Sequence, residues 1–379
     1  MLPLREKDRT DRKLLFLVLG LGFVLGCRLL LYAWMPDRPS DFDFLYDAAG
    51  RLIRGENPYP VGTQWFPYPL PAVLLAAPFT LIRPPLARLV FDLLVGWALV
   101  YALWRYRGSY ALLALFSGAY LFALAKGQTT PLMVAASLIP ALAFLLAVRP
   151  NTSVALWIAR PSWIGVIGVG AFVALSFAVL PSWPQQWWAA LPADLAGLMP
   201  PLLRPFGFLL LLAALRWRSP EARLILAMAC VPQTALPYEL VPLALIPASS
   251  LEMGIYAIGT WIVAAGAAGA LGPGFLAAEW KVAGWPVALC AGYLPMLLLI
   301  LRRGGRPKPR VEKERRRPRR IPDEELEIDV SLDGDGTVLV TVIHLPTRLS
   351  ATESGPTREA AERKAQDRLA ALLAGKRVG

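Results

Sequence analysis

Carboxylates carry most of the chemistry that this sequence could perform. The chain has a single histidine, His344, close to its C-terminus, and it contains none of the common phosphate-binding or zinc-protease motifs. Acid–base chemistry elsewhere in the chain would therefore depend on Asp, Glu, Tyr or Lys. The densest group of these residues is Asp41, Asp43 and Asp47, in the polar segment 40–59 (SDFDFLYDAAGRLIRGENPY). A proton acceptor in this segment, with Asp41 first, is the leading catalytic candidate, and the alternative for Asp41 is a helix cap.

Further polar candidates lie inside or at the ends of apolar runs. They are Lys126 and Gln128 before one run, and Tyr238 and Glu239 in the middle of another. Ionisable groups in such runs are costly, so they are functional candidates by default. The alternatives are a lysine that extends to a membrane surface from a helix end, and a buried carboxylate satisfied by neighbouring hydroxyls.

The case for a metal or cofactor is weak. Asp41-Phe42-Asp43 has the D-x-D spacing of metal-binding nucleotide-sugar enzymes, but three residues produce this pattern often by chance. Cys27, Cys230 and Cys290 lie singly in apolar runs, without metal-ligand spacing. We predict no metal site, no disulfide and no cofactor, and a divalent metal at Asp43 is the alternative.

Composition indicates the elements that must position these residues. Hydrophobic residues make up 56% of the chain, the mean hydropathy is +0.49, and the apolar residues occur in blocks. We predict an all-α polytopic protein of the cell membrane. The first run, Leu14 to Trp34, is too long for a signal-peptide core and follows a basic head, so we expect a retained anchor. Both termini are expected in the cytoplasm.

The segment 40–59 is predicted to form a short amphipathic helix on one membrane face. Ser40 or Asp41 can cap its start, and apolar residues recur at helical spacing from Phe42. The sequence from Gly55 to Pro58 ends it, because proline cannot continue a helix and glycine can adopt a left-handed conformation.

The apolar runs that follow predict about ten crossings in all. They are 69–82, 86–104, 110–125, 130–148, 163–180, 206–217, 224–248, 255–271 and 286–301. The apolar part of the first run, Ala72 to Ile82, is only about half the ~20 residues of a span, so we expect a re-entrant piece or a short tilted helix. Arg105, Arg107, Arg149 and Arg160 are expected on the cytoplasmic side.

Two stretches break the apolar pattern on the outer side. Segment 181–201 carries three tryptophans and is predicted to contain an interfacial helix on the same outer face as segment 40–59. Segment 224–248 has four prolines at five-residue intervals around Tyr238 and Glu239. Each proline removes a backbone donor, so we expect two half-helices that meet at an outer cavity.

The predicted domains are a transmembrane unit at 1–301, a basic linker at 302–321 and a small cytoplasmic α+β domain at 322–379. Eleven basic residues between Arg302 and Arg320 favour anionic membrane lipid over nucleic acid as the partner of the linker. The small domain is predicted as ββα or βββα, with a cytoplasmic partner that is not identified.

The elements of the small domain can be placed more closely. The strands are predicted at 327–332 and 338–344, joined by a turn at 333–336. The helix is predicted from Thr357 to Ala374, with four apolar residues on one face: Ala361, Ala365, Leu369 and Leu372.

The order of motifs over residues 14–301 resembles glycosyltransferase family 87. The matching features are D-F-x3-Y-x-A-A-x2-L-x2-G-x2-P-Y at 41–59, Tyr68-Pro69, Gly127-Gln128, and a proline-broken run with Tyr238-Glu239. The resemblance implies a membrane mannosyltransferase of the C-type glycosyltransferase fold that uses a polyprenyl-phosphate sugar donor. It also implies that Asp41, in the first outer loop, is the base that deprotonates the acceptor hydroxyl of a lipid or glycan.

We take eight residues as candidates for substrate binding: Asp43, Tyr46, Asn57, Tyr59, Lys126, Gln128, Tyr238 and Glu239. Inverting sugar transfer needs a carboxylate near the acceptor hydroxyl and a cation near the leaving phosphate. A lipid or small-solute transporter or flippase is the alternative, although we find no internal repeat of the kind that many transporters have. A scaffold that presents the cytoplasmic domain is a third hypothesis.

Overall fold

The structure is a computed structural model that describes residues 20, 40–59, 68–191, 198–269, 283–303, 323–332, 337–355 and 357–373. The predicted anchor 14–34, apart from residue 20, most of the basic linker and the turn 333–336 lie outside the described residues. The chain is mostly helical (73%) and has a small antiparallel sheet near its C-terminus. It forms two compact units, Met1–Gly304 and Gly305–Gly379.

The first unit is built from helices of unequal length. Its described α-helices are α1 Asp41–Ile53, α2 Leu70–Ala76, α3 Pro84–Arg107, α4 Gly118–Ala125, α5 Thr130–Leu138, α6 Pro150–Ala159, α7 Trp163–Val179, α8 Trp183–Ala190, α9 Pro220–Cys230, α10 Ser250–Ala267 and α11 Trp285–Arg302. 3₁₀ segments lie between them, at Ala77–Leu81, Ser109–Phe116, Pro140–Val148, Pro201–Leu203, Gly207–Arg216 and Pro237–Leu245. The last α-helix contains a π-helical stretch, Ala288–Tyr293.

Helix α1 forms as the sequence predicts, with Ser40 as its N-cap. The Ser40 hydroxyl accepts from the Asp43 N–H at 3.3 Å, and the Asp43 carboxylate accepts from the Ser40 N–H at 2.6 Å. This reciprocal pair is a capping box, which satisfies two backbone donors at the helix start. The helix ends before Gly55, whose φ is +74°.

The apolar face of α1 holds the helix against the first unit. Its buried residues are Phe42, Leu45, Ala48 and Ala49. The Phe42 ring stacks on Phe91 of α3, with 4.3 Å between ring centroids. Burying a phenylalanine contributes about 2–3 kcal/mol, so this contact fixes the N-terminal end of α1. At the far end of this face, Leu52 is half-buried against the same core and Ile53 is exposed.

Three described helices, α3, α10 and α11, are long and apolar enough to cross a membrane. A fourth span is possible if α7 and α8, which are bent by 91° at their junction, count as one. About ten crossings were expected, so the described residues give a smaller number. Two of the expected spans are interrupted: 110–125 changes from 3₁₀ to α-helix at Ser117, and 130–148 changes from α to 3₁₀ at Pro140.

The proline-rich run 224–248 is broken, as predicted. Helix α9 ends at Cys230, residues 231–236 are not helical, and a 3₁₀ segment covers Pro237–Leu245. In the gap, Gln233 donates to the Met228 carbonyl and accepts from the Tyr293 hydroxyl at 2.7 Å. The break places Tyr238 and Glu239 at the start of a new helical segment, where both are buried.

The second unit has three strands, β1 Leu326–Leu332, β2 Val338–His344 and β3 Ser350–Gly355, followed by helix α12 Arg358–Leu373. The sheet order is β1-β2-β3, and both pairs are antiparallel. The unit is therefore βββα, one of the two predicted forms. The core contains alternate residues of the strands and one face of α12: Val340, Val342, Ala351, Ala361, Ala365 and Leu369.

Candidate functional site

Asp41 lies at the first turn of α1, where three other segments meet it. Its backbone N–H donates to the Lys126 carbonyl at 2.8 Å, which ties the helix start to the turn after α4. Its Oδ2 atom accepts from the Tyr68 hydroxyl at 2.7 Å and from the Gln128 amide at 2.5 Å. Oδ1 makes no hydrogen bond to any described residue. The carboxylate is therefore held at one oxygen and accessible at the other.

The turn 126–128 is shaped by a glycine. Gly127 has φ +59°, in the left-handed region that favours glycine. A Cβ atom there would lie 3.0 Å from the Ser40 hydroxyl and 3.0 Å from the Phe42 Cβ. Gly127 thus permits a close approach between this turn and the start of α1, and it brings Gln128 within reach of Asp41.

Arg149 joins Gln128 to Glu239. It lies between the 3₁₀ segment Pro140–Val148 and α6, and its Nη1 donates to Gln128 Oε1 at 2.5 Å. Its Nη2 donates to Glu239 Oε1 at 2.8 Å, and its guanidinium lies 5.2 Å from the centre of the Tyr238 ring. The Arg149 and Glu239 side chains are 11% and 3% exposed, so the ion pair is buried.

The four predicted residues Asp41, Gln128, Tyr238 and Glu239 are therefore in one connected cluster, which we call the Asp41 network together with Tyr68 and Arg149. Hydrogen bonds run from Tyr68 to Asp41, from Gln128 to Asp41, and from Arg149 to Gln128 and Glu239. The network contains two carboxylates and one guanidinium. A carboxylate with a free oxygen can accept a proton, and the buried ion pair can keep its neighbours in place.

Asp43 has a structural role in α1. Its Oδ2 accepts from the backbone and the hydroxyl of Ser40, and lies 3.4 Å from Arg88 Nη1. The Arg88 guanidinium also donates to the Ala125 carbonyl at 3.1 Å. These contacts engage Asp43 in capping.

Among the residues that the structure describes, no three His, Cys, Asp or Glu side chains are grouped as metal ligands would be.

Tyr46, Asn57 and Tyr59 belong to α1 and to the loop that follows it. The Tyr46 hydroxyl donates to the Ile82 carbonyl at 2.8 Å. Asn57 is exposed, and its side-chain oxygen accepts from the Tyr59 N–H at 2.8 Å. Tyr59 is fully buried, and burial raises the pKa of its hydroxyl, which therefore stays protonated.

Lys126 is half-buried next to the network. Within the described part of the chain its ammonium has no hydrogen bond or ion pair, while its carbonyl accepts from Asp41. The backbone of Lys126 is therefore next to the start of α1, and its side chain is the candidate cation for an anionic group.

Sequence reasoning missed Arg149 and gave no role to Tyr68. It placed Arg149 on the cytoplasmic side and Glu239 on the outer side, and these two predictions cannot both hold, because the two side chains form an ion pair. Arginine next to an apolar run usually marks the cytoplasmic side, which is why the sequence favoured that side for Arg149. The available signal was a cation and a carboxylate that each interrupt an apolar run, since such groups tend to pair.

Comparison of the chain with protein-family models, with curated protein sequences and with solved structures finds no match.

Proposed function

We propose that the chain is an all-α, multi-pass membrane glycosyltransferase that transfers a sugar from a polyprenyl-phosphate donor to a lipid or glycan acceptor at the outer face. Mannose or another hexose is the proposed sugar. The observation that supports this best is the geometry of Asp41, whose carboxylate is held at Oδ2 by two donors and has Oδ1 free. This is the arrangement that a general base requires, because its position is fixed and one oxygen can accept a proton.

The proposed step is a single inverting displacement. Asp41 Oδ1 takes the proton of the acceptor hydroxyl while the acceptor oxygen forms a bond to the anomeric carbon of the sugar. The bond between that carbon and the phosphate oxygen breaks, and its electron pair leaves with the polyprenyl phosphate. The proton on Asp41 is then released to water.

Lys126 is the proposed partner of the leaving phosphate. Negative charge grows on the phosphate as the bond breaks, and a cation placed there stabilises the transition state more than the ground state. Its backbone carbonyl accepts from the Asp41 N–H, so the residue is adjacent to the proposed base. The Arg149 guanidinium is already engaged by Glu239 and Gln128, so it is the poorer candidate for phosphate.

The prenyl chain needs an apolar surface. We place it at the end of α7 and on α8, because Phe177 and Trp188 are 44% and 73% exposed and α8 begins after a 91° bend. Tryptophans in such positions suit the interface between lipid headgroups and hydrocarbon. Asn57 and Tyr59, in the loop after α1, are proposed to border the acceptor side.

The linker 302–320 is proposed to bind anionic lipid, and the βββα unit to bind a cytoplasmic partner. Neither is needed for the chemical step, because all residues of the Asp41 network belong to the first unit.

The test is transfer of radiolabelled mannose from a polyprenyl-phosphate donor by the purified full-length chain in lipid vesicles. We expect label in a second lipid or glycan, with inverted anomeric configuration. Movement of the intact donor across the bilayer without transfer would support the transporter alternative. No transfer with mannose or glucose donors would contradict the proposed function.

A further inference from the structure

We infer that Arg149 is a positioning residue that holds the Gln128 amide in the orientation in which it donates to Asp41, and that Glu239 anchors Arg149 and does not contact the substrate. This inference rests on the proposed function for its kinetic part. Its structural part is the chain of hydrogen bonds that runs from Glu239 through Arg149 and Gln128 to Asp41. This part does not depend on that function.

The amide of Gln128 lies between two groups of opposite character. A guanidinium only donates hydrogen bonds, so the amide oxygen must face Arg149. An ionised carboxylate only accepts, so the NH₂ group must face Asp41. The distances agree, with 2.5 Å from Arg149 Nη1 to Gln128 Oε1 and 2.5 Å from Gln128 Nε2 to Asp41 Oδ2. Without Arg149 the amide could rotate, and its oxygen would then repel the carboxylate.

Arg149 is itself held on two sides. Glu239 Oε1 accepts from Nη2, and the Tyr238 ring lies against the guanidinium. Only 2% of Glu239 is exposed, and one of its oxygens is committed to Arg149. A residue so deeply buried is better suited to hold Arg149 than to bind a hydroxyl of the sugar.

The kinetic test compares Arg149→Met/Glu239→Met with wild type. Both charges are removed together, since a lone buried charge would destabilise the fold. We expect kcat to fall about 10- to 100-fold with little change in KM, as a misplaced base predicts. Adding these two substitutions to Gln128→Leu should lower kcat little further, because Arg149 acts through Gln128. A raised KM with unchanged kcat would overturn the inference. So would a kcat loss in the triple variant equal to the product of the losses caused by Gln128→Leu and by Arg149→Met/Glu239→Met.

Two conservative variants refine this test. Arg149→Lys keeps the charge near Glu239 but has a single ammonium in place of the fork that serves both partners, so we expect only partial activity. Glu239→Gln still offers an oxygen to Arg149 but leaves its charge uncompensated, so we expect a lower kcat with a KM close to that of wild type in correctly folded protein. A large rise in KM for Glu239→Gln would instead show that Glu239 contacts the substrate.

The structural part is tested by NMR of the Gln128 side-chain NH₂ in full-length protein labelled with ¹⁵N-glutamine. Gln128→Leu identifies the resonance by its absence. We expect Asp41→Asn and Arg149→Met/Glu239→Met each to shift it, and Glu56→Gln, at the exposed end of α1, to leave it unchanged. If neither of the first two moves it, the inference is wrong. Because this result needs no substrate, it separates a failure of the inference from a failure of the proposed function.

Discussion

Replacing Gly127 by alanine tests how the Asp41 network is assembled. Gly127 has φ +59°, and an added Cβ would lie 3.0 Å from the Phe42 Cβ, 3.0 Å from the Ser40 Oγ and 3.1 Å from the Ser40 Cβ. Ser40 and Phe42 are both fully buried, so neither can move away easily. Gly55 is the matched control, because its φ is +74° and nothing lies within 4 Å of its added Cβ.

The two substitutions share one cost and differ in another. The left-handed conformation costs an alanine about 1–2 kcal/mol, of which about 0.4–1 kcal/mol is offset by the lower entropy of the unfolded chain. Gly55→Ala should therefore lower the free energy of unfolding by about 1 kcal/mol or less. Gly127→Ala adds overpacking, which typically costs about 1–3 kcal/mol, so its total should be roughly 1–4 kcal/mol.

The assay is SDS-induced unfolding in mixed micelles, followed by tryptophan fluorescence. Gly127→Ala should have the lower midpoint by a clear margin, and it should also lose transfer activity, because the displaced helix start carries Asp41. Equal midpoints for the two variants would refute the close contact between the turn 126–128 and α1.

Three other predictions concern topology, the second unit and the ion pair. Cysteines introduced at Glu56 and at Gln186 should react with an impermeant reagent from the same side of the membrane; reaction from opposite sides would separate the two loops of the proposed site. Deletion of residues 322–379, with the basic linker kept, should leave insertion and transfer measurable, and complete loss of transfer by a folded truncation would assign the domain a catalytic role. Arg149→Met alone should lower the free energy of unfolding by about 3–5 kcal/mol, and Arg149→Met/Glu239→Met should lower it much less. Equal losses in the SDS unfolding assay would mean that the two side chains are not coupled.

Local features were predictable because they depend on neighbouring residues. The cap at Ser40, the left-handed Gly55, the break between Cys230 and Pro237, and strand β2 all follow from short-range rules. The apolar face of α12 follows from its helical periodicity in the same way.

Contacts between distant segments were not predictable in the same way. Arg149 pairs with Glu239, which is 90 positions away, and nothing in either local sequence names its partner. Charge counting placed Arg149 on the cytoplasmic side, since it treats each arginine as solvated. Apolar runs also reveal composition but not the interruptions that the described residues show at Ser117 and Pro140.

The central claim is that Asp41 accepts the proton of the acceptor hydroxyl, and the most direct measurement is the transfer rate of Asp41→Asn beside Asp43→Asn. The amide at position 41 is nearly the same size as the carboxylate but cannot take up a proton. Asp43 is the matched control, because its carboxylate caps α1 and contacts Arg88. We expect Asp41→Asn to lower kcat by about 10²–10⁴-fold in folded protein, and Asp43→Asn to retain most of the activity. Near wild-type turnover by Asp41→Asn would contradict the assignment of Asp41 as the base.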